Sequence, residues 1–307
     1  MTSWAEPAQL PATRGWADPG RRIGWQYALG ILGFAAAQGL GLLAGAGLTL
    51  ATTGGASADP TAHPWPGLAL ALTVQALLAV AGFRWLLPRL SGRPSTELAG
   101  PGGLREFGAG LALGCLLMLA VAAALAALGV FRLHGASWNT GILVGLAVGI
   151  GAGFAEEILF RGMLLRLLDA WLGTGWALAV TAALFGAAHL ANPGATAWGA
   201  LAIAVEAGLL LGAAYLLTRR LWLAIGLHVG WNFVEGGVLG ADVSGAGVAG
   251  PRGWLSSELT GPAWLSGAGM GIEGSVITVV AGLALGVVLL RLAARRGMLT
   301  PSRGRRR

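Results

Sequence analysis

The sequence predicts an all-α, polytopic membrane helical bundle of about eight transmembrane helices. Three observations carry that expectation. Only 11% of the 307 residues are charged, while 55% are hydrophobic and the mean hydropathy is +0.71; soluble domains carry about 25% charged residues. Apolar stretches of about 20 residues, the length that crosses a bilayer core, recur along the chain. The arginines are rich in one connecting loop and sparse in the next.

The expected spans are roughly 23–52, 67–88, 107–131, 141–168, 174–195, 197–218, 221–240 and 275–294. Residues 1–22 are polar and proline-bearing and lack the short apolar core of a signal peptide; Arg21 and Arg22 read as a charge anchor before the first span, ahead of a twin-arginine signal. The first and fourth spans are long enough to tilt, kink or project beyond the bilayer. Arginines fall in the N-terminal tail (Arg14, Arg21, Arg22), the second loop (Arg89, Arg93, Arg105, with Arg84 at its edge), after the fourth span (Arg161, Arg166), and in the sixth loop (Arg219, Arg220). Seven more follow from Arg291 onward. The first and fifth loops have none, the third only Arg132, and the long seventh, about 241–274, sets Arg252 against Asp242, Glu258 and Glu273. The positive-inside rule then puts the even-numbered loops and both termini in the cytoplasm. The chain divides into a tail (1–22), N-terminal helices (23–139), a polar-bearing core (140–240), an extracytoplasmic loop (241–274), and a last helix with a basic tail (275–307).

The net charge of +7 comes entirely with arginine, and the chain has no lysine. Topology accounts for these charges, and no aromatic-basic interleaving accompanies them, so a nucleic-acid partner is not expected. The tail "RRGMLTPSRGRRR" suits anionic headgroups of the lipid bilayer. The single Cys115 excludes an intramolecular disulfide or a cysteine metal site and reads as a buried structural thiol. The 53 glycines suit close approach of helices in lipid. Trp65, Trp85, Trp138, Trp171, Trp176 and Trp222 lie near span ends, as interfacial belts do. No internal repeat is visible, which weighs against transporters built from two halves. The arginine-only, Ala/Gly-rich composition is of the kind associated with GC-rich bacterial genomes.

Most spans are chemically inert; the exceptions lie in the fourth to seventh. "FAEEILFRGML" (154–164) places Glu156, Glu157 and Arg161 in an apolar run, where each charge costs about 2.5–3.5 kcal/mol near the bilayer centre. The fifth span has His189, the sixth Glu206, and the seventh His228, Asn232 and Glu235. Glu157 and Arg161 are four apart, share a face and can pair. Glu156 is turned about 100° away and is free for chemistry. Phe185 and His189 share a face, as do His228 and Asn232. His189 lies about 6 Å in depth from the others at 1.5 Å per residue, close enough for one cavity. Glu235 could line the same cavity, whereas Glu206 stands alone and reads as a structural or protonated carboxyl.

A glutamate beside histidines suits activation of water for attack on an amide, with Asn232 or a second imidazole donating to the oxyanion. Glu156, His189 and His228 also make a three-ligand zinc set with an open position. Residue types alone do not separate a zinc mechanism from a metal-free one. Two other readings stay open: a catalytically silent immunity or scaffold protein, and a proton-coupled transporter using the same carboxylates.

"EEILFR" (156–161), "FGAAH" (185–189) and "HVGWN" (228–232) resemble, in order, the Glu-Glu-x-x-x-Arg, Phe-x-x-x-His and His-x-x-x-Asn motifs of the CPBP family, the CAAX prenyl endopeptidases with bacteriocin-processing and immunity proteins, formerly called Abi. The likeness covers about 140–240, and "TRRLW" stands where the family often has Thr-Gly-Ser-Leu-Trp. The resemblance implies an intramembrane peptidase acting on a peptide or membrane-protein substrate. It implies Glu156 as the water-activating base with His189 beside it, His228 and Asn232 as the oxyanion-stabilising pair, and Glu157 and Arg161 in support. Family members are described both as metalloproteases and with a metal-free glutamate mechanism, so the metal stays open.

Overall fold

The computed structural model describes residues 18–60, 65–248 and 253–302. Arg14, Arg252, Arg303 and Arg305 to Arg307, which the charge pattern uses, lie outside the described residues. The chain forms helices α1 (Ile23–Thr52), α2 (Gly67–Ser91), α3 (Gly103–Ala127), α4 (Gly141–Leu172), α5 (Thr174–Ala191), α6 (Ala197–Thr218), α7 (Trp222–Asn232, continued by π-helical Phe233–Val238) and α8 (Val276–Arg295). A two-stranded antiparallel sheet pairs β1 (Phe131–Ala136) with β2 (Leu255–Leu259).

Local chemistry sets the breaks. Gly92 (φ 70°) ends α2 and Gly173 (φ 85°) separates α4 from α5, conformations that favour glycine. The Thr196 side chain accepts from Gly199 N at 2.9 Å to cap α6, and Ser275 caps α8 through Ile277 N. The third span begins at Gly103, four residues earlier than expected. The seventh loop is not all loop, since it carries β2 and a 3-10 turn over Ala268–Gly274.

Among the described residues, seven helices are long and apolar enough to cross a membrane. The expected seventh span, 221–240, is shorter but runs between the same two ends of the bundle. Its 11 α-helical and 6 π-helical residues make a rod of about 25 Å, short of the ~30 Å hydrocarbon core. Every residue from Leu223 to Asn232 is buried, so α7 is sheathed by protein.

Two glycine seams hold it there. Gly110 and Gly114 of α3 lie against the backbone at Leu223, Leu227 and Trp231, and Gly226 and Gly230 of α7 lie against Phe107, Leu111 and Cys115. Both helices thus carry Gly-x-x-x-Gly, run parallel, and approach closely enough that a Cβ at any of the four would meet main chain. On another side α4 presents Gly145, Gly149 and Gly153 to Gly237, Phe233, Val229 and Ile225, running antiparallel.

The loops sort to two ends. At one, Arg21 N donates to Ser91 O, Arg166 donates to Gln26 Oε1 at 2.5 Å, and Arg219 donates to Asp169 Oδ2 at 2.6 Å and to Met298 O. At the other, β1 meets β2, Trp254 N donates to Gly237 O, and Asn192 donates to Ser244 O. The arginine-rich loops share the first end with residues 18–22 and 296–302, and the arginine-poor loops share the second. Arg166 and Arg219 are nonetheless buried, and they serve as tertiary hydrogen-bond donors. Trp222 also departs from the interfacial role expected of it, because its indole N–H donates to Ala99 O inside the protein. Trp65, Trp85, Trp138, Trp171 and Trp176 are exposed.

Candidate active site

The polar side chains of the core meet where α4, α5, α6 and α7 converge. Glu157 is fully buried and held from two sides. Arg161 Nη1 donates to its Oε1 at 2.8 Å across one helical turn, and His228 Nδ1 lies 2.9 Å from the same oxygen. The rest of the Arg161 guanidinium donates to the carbonyls of Ala207 (3.3 Å) and Gly208 (3.2 Å) on α6 and lies 4.4 Å from the Phe185 ring centre. This answers why an arginine sits in the bundle: its charge offsets Glu157, and its donors satisfy an interior backbone.

Phe185 acts as a plate between these groups. Its ring stands edge-on to Phe160 at 5.0 Å and to His228 at 6.2 Å, and tilted to His189 at 4.9 Å. Its carbonyl lies 2.8 Å from His189 Nδ1. A carbonyl only accepts, so Nδ1 carries the proton, and Nε2 is the acceptor in the neutral ring.

Phe185, His189, His228, Trp231, Asn232, Ser244 and Glu273 line one small cavity. Asn232 is buried and makes no hydrogen bond with the described residues, which leaves its carboxamide to the cavity. The structure thus brings together His189, His228 and Asn232, with Glu157 and Arg161 directly behind His228.

Glu156 sits differently. Its side chain is half-buried, Oε2 is buried without a partner, and the residue is not among the cavity walls. Glu235 is buried beside Gly271, and Glu206 is buried beside Gly282; neither lines the cavity. Glu156, His189 and His228 do not form a zinc site, and among the described residues no three His, Cys, Asp or Glu side chains gather as metal ligands. His228 and His189 each commit one nitrogen to a protein partner and keep the other, as metal-ligating histidines also do, but no third ligand gathers with them, so the donor set does not fit the metal.

Three hydrogen-bonding residues of the cavity were not singled out from sequence. Trp231 lies inside the HVGWN motif, Ser244 is in the seventh loop, and Glu273 was only one of that loop's acidic charges. Trp231 Nε1 donates to Glu273 Oε1 at 2.9 Å, and Ser244 Oγ donates to Glu273 Oε2 at 2.5 Å. The neighbourhood also contains π-helical segments over Ile158–Leu165, Ala204–Gly208 and Phe233–Val238. Such segments are rare and concentrate at functional sites, and residue periodicity does not announce them.

A family model described as Type II CAAX prenyl endopeptidase Rce1-like matches residues 137–234, about a third of the chain. No curated protein and no solved structure matches.

Proposed function

Because residues 137–234 match the Rce1-like model of the CPBP family, described as a Type II CAAX prenyl endopeptidase, we propose that this multi-pass membrane protein hydrolyses a peptide bond inside the bilayer with water activated by glutamate and histidine. The observation that carries the reading is the single cavity shared by His189, His228 and Asn232, with Glu157 bound to His228.

The roles follow from what each group is free to do. Glu157 is occupied by Arg161 and His228, so it positions the imidazole and fixes which nitrogen turns to the cavity. Glu156 makes no hydrogen bond with the described residues, and its carboxylate can take the proton of the attacking water after turning toward His189. The His189 ring, anchored through Nδ1, offers Nε2 to the same water. Asn232 donates to the oxyanion of the tetrahedral intermediate, and His228 joins it as an imidazolium, the form that the Glu157 carboxylate at Nδ1 stabilises. The proton taken by Glu156 then passes to the leaving amine. No step runs through a metal, since the ligand geometry does not provide one.

The arginine-rich end, with both chain ends, faces the cytoplasm in this proposal, and the host is bacterial. The substrate is a peptide or a membrane-protein segment reaching the cavity from the lipid. The test is reconstitution of the full chain in lipid vesicles with a peptide library, with products read by mass spectrometry. Discrete products from wild type that vanish with His228→Ala support the reading. A library left uncut leaves a silent scaffold as the better account.

A further inference from the structure

We infer that Glu273 makes the cavity selective for a cationic group on the peptide substrate, an ammonium or guanidinium lying close to the bond that is cut. The inference rests on the reading that a peptide occupies this cavity. It concerns a residue outside the matched segment 137–234.

Glu273 is the one carboxylate among the residues lining the cavity, and it shares that lining with His189, His228 and Asn232. It is 3% exposed and fixed in place, because Trp231 donates to one oxygen and Ser244 to the other. Each oxygen accepts one hydrogen bond from the protein and keeps a further lone pair, as a carboxylate does. No arginine of the described residues pairs with it. Arg161 is committed to Glu157 and to two carbonyls, and Arg166 and Arg219 serve the opposite end.

Glu206 and Glu235 are buried behind this wall and do not line the cavity, so Glu273 alone presents a carboxylate to a substrate. Ser244 adds a constraint: it holds φ 51°, unusual for a residue with a Cβ, while its carbonyl accepts from Asn192 and its hydroxyl reaches Glu273. The seventh loop is thereby pinned between the His189 turn and the acidic wall.

The experiment measures binding and cleavage separately on the full chain in detergent. The probes are fluorescein-labelled, N-acetylated Ala/Leu decapeptides with one central Lys, norleucine or Glu, and a norleucine peptide with a free N-terminus. Wild type is expected to bind the Lys peptide about tenfold or more tightly than the norleucine peptide, and the Glu peptide most weakly. In Glu273→Gln the Lys-to-norleucine ratio should fall toward one. If the free N-terminus rescues the norleucine peptide, the recognised cation is an α-ammonium and the inference holds with that source. Equal binding of the Lys peptide and of both norleucine peptides by wild type overturns the inference without any variant. A ratio unchanged in Glu273→Gln overturns it too, because the cation is then read elsewhere. Discrimination without cleavage keeps the inference and removes the peptidase reading; cleavage without discrimination does the reverse.

Discussion

His228 Nδ1 lies 2.9 Å from Glu157 Oε1, an oxygen that also receives Arg161 at 2.8 Å. Two of the motifs legible in the sequence are thus joined by one carboxylate, across the antiparallel helices α4 and α7. Arg161→Ala removes the cation and leaves Glu157 with only an imidazole. Removing one partner of a buried pair costs about 3–5 kcal/mol, and here the Ala207 and Gly208 carbonyls lose a donor as well. Chemical denaturation in detergent should show that loss. A variant as stable as wild type would mean that Arg161 is not buried against Glu157.

The glycine seams make a second prediction. Gly114→Ala and Gly230→Ala each push a Cβ into main chain of the facing helix, and overpacking of this kind costs about 1–3 kcal/mol. Turnover should fall with stability, because α7 carries His228 and Asn232. Gly108→Ala, on the same helix but with open space around its Cβ, should change neither. Equal tolerance of all three substitutions would refute close contact of α3 and α7.

Asp169 anchors the other end. It accepts from Arg219 (2.6 Å), Thr174 (2.5 Å) and Thr300 (3.0 Å), all buried. Asp169→Ala leaves Arg219 without its carboxylate and frees the segment 298–302. A loss of about 3–5 kcal/mol together with new protease cleavage near Met298 is expected. Unchanged protease resistance would show that this segment is held by other contacts.

Chelation tests the metal directly. Prolonged treatment with a zinc chelator should leave turnover unchanged, and purified protein should carry no stoichiometric zinc. Inhibition by chelator that zinc reverses would show ligands arranged in a way that the described residues are not.

Much of this was legible in the sequence, and the remainder was hidden for identifiable reasons. Hydropathy located the long spans because each needs about 20 apolar residues, whatever it packs against. It also located 221–240, but it could not tell that this shorter helix is sheathed by protein, because such a helix is as apolar as one facing lipid. Spacing of four predicted the Glu157–Arg161 pair and the nearness of Phe185 to His189, since these contacts lie within one helix. The contact of His228 with Glu157 spans 71 residues and depends on the glycine seams. Periodicity separates the two glutamates by rotation but does not say which one meets an imidazole of another helix. Glu273 was invisible as a site residue because its partners, Trp231 and Ser244, come from elements brought together only by the fold.

The central claim is that Glu156, unheld by the described residues, activates the water while Glu157 is tied to Arg161 and His228. The most direct measurement is single-turnover cleavage, in lipid vesicles, of a peptide that wild type cuts, by Glu156→Gln. The glutamine keeps shape and loses basicity, so the rate should fall about 10²–10⁴-fold with the melting temperature unchanged. Wild-type turnover by Glu156→Gln would contradict the account.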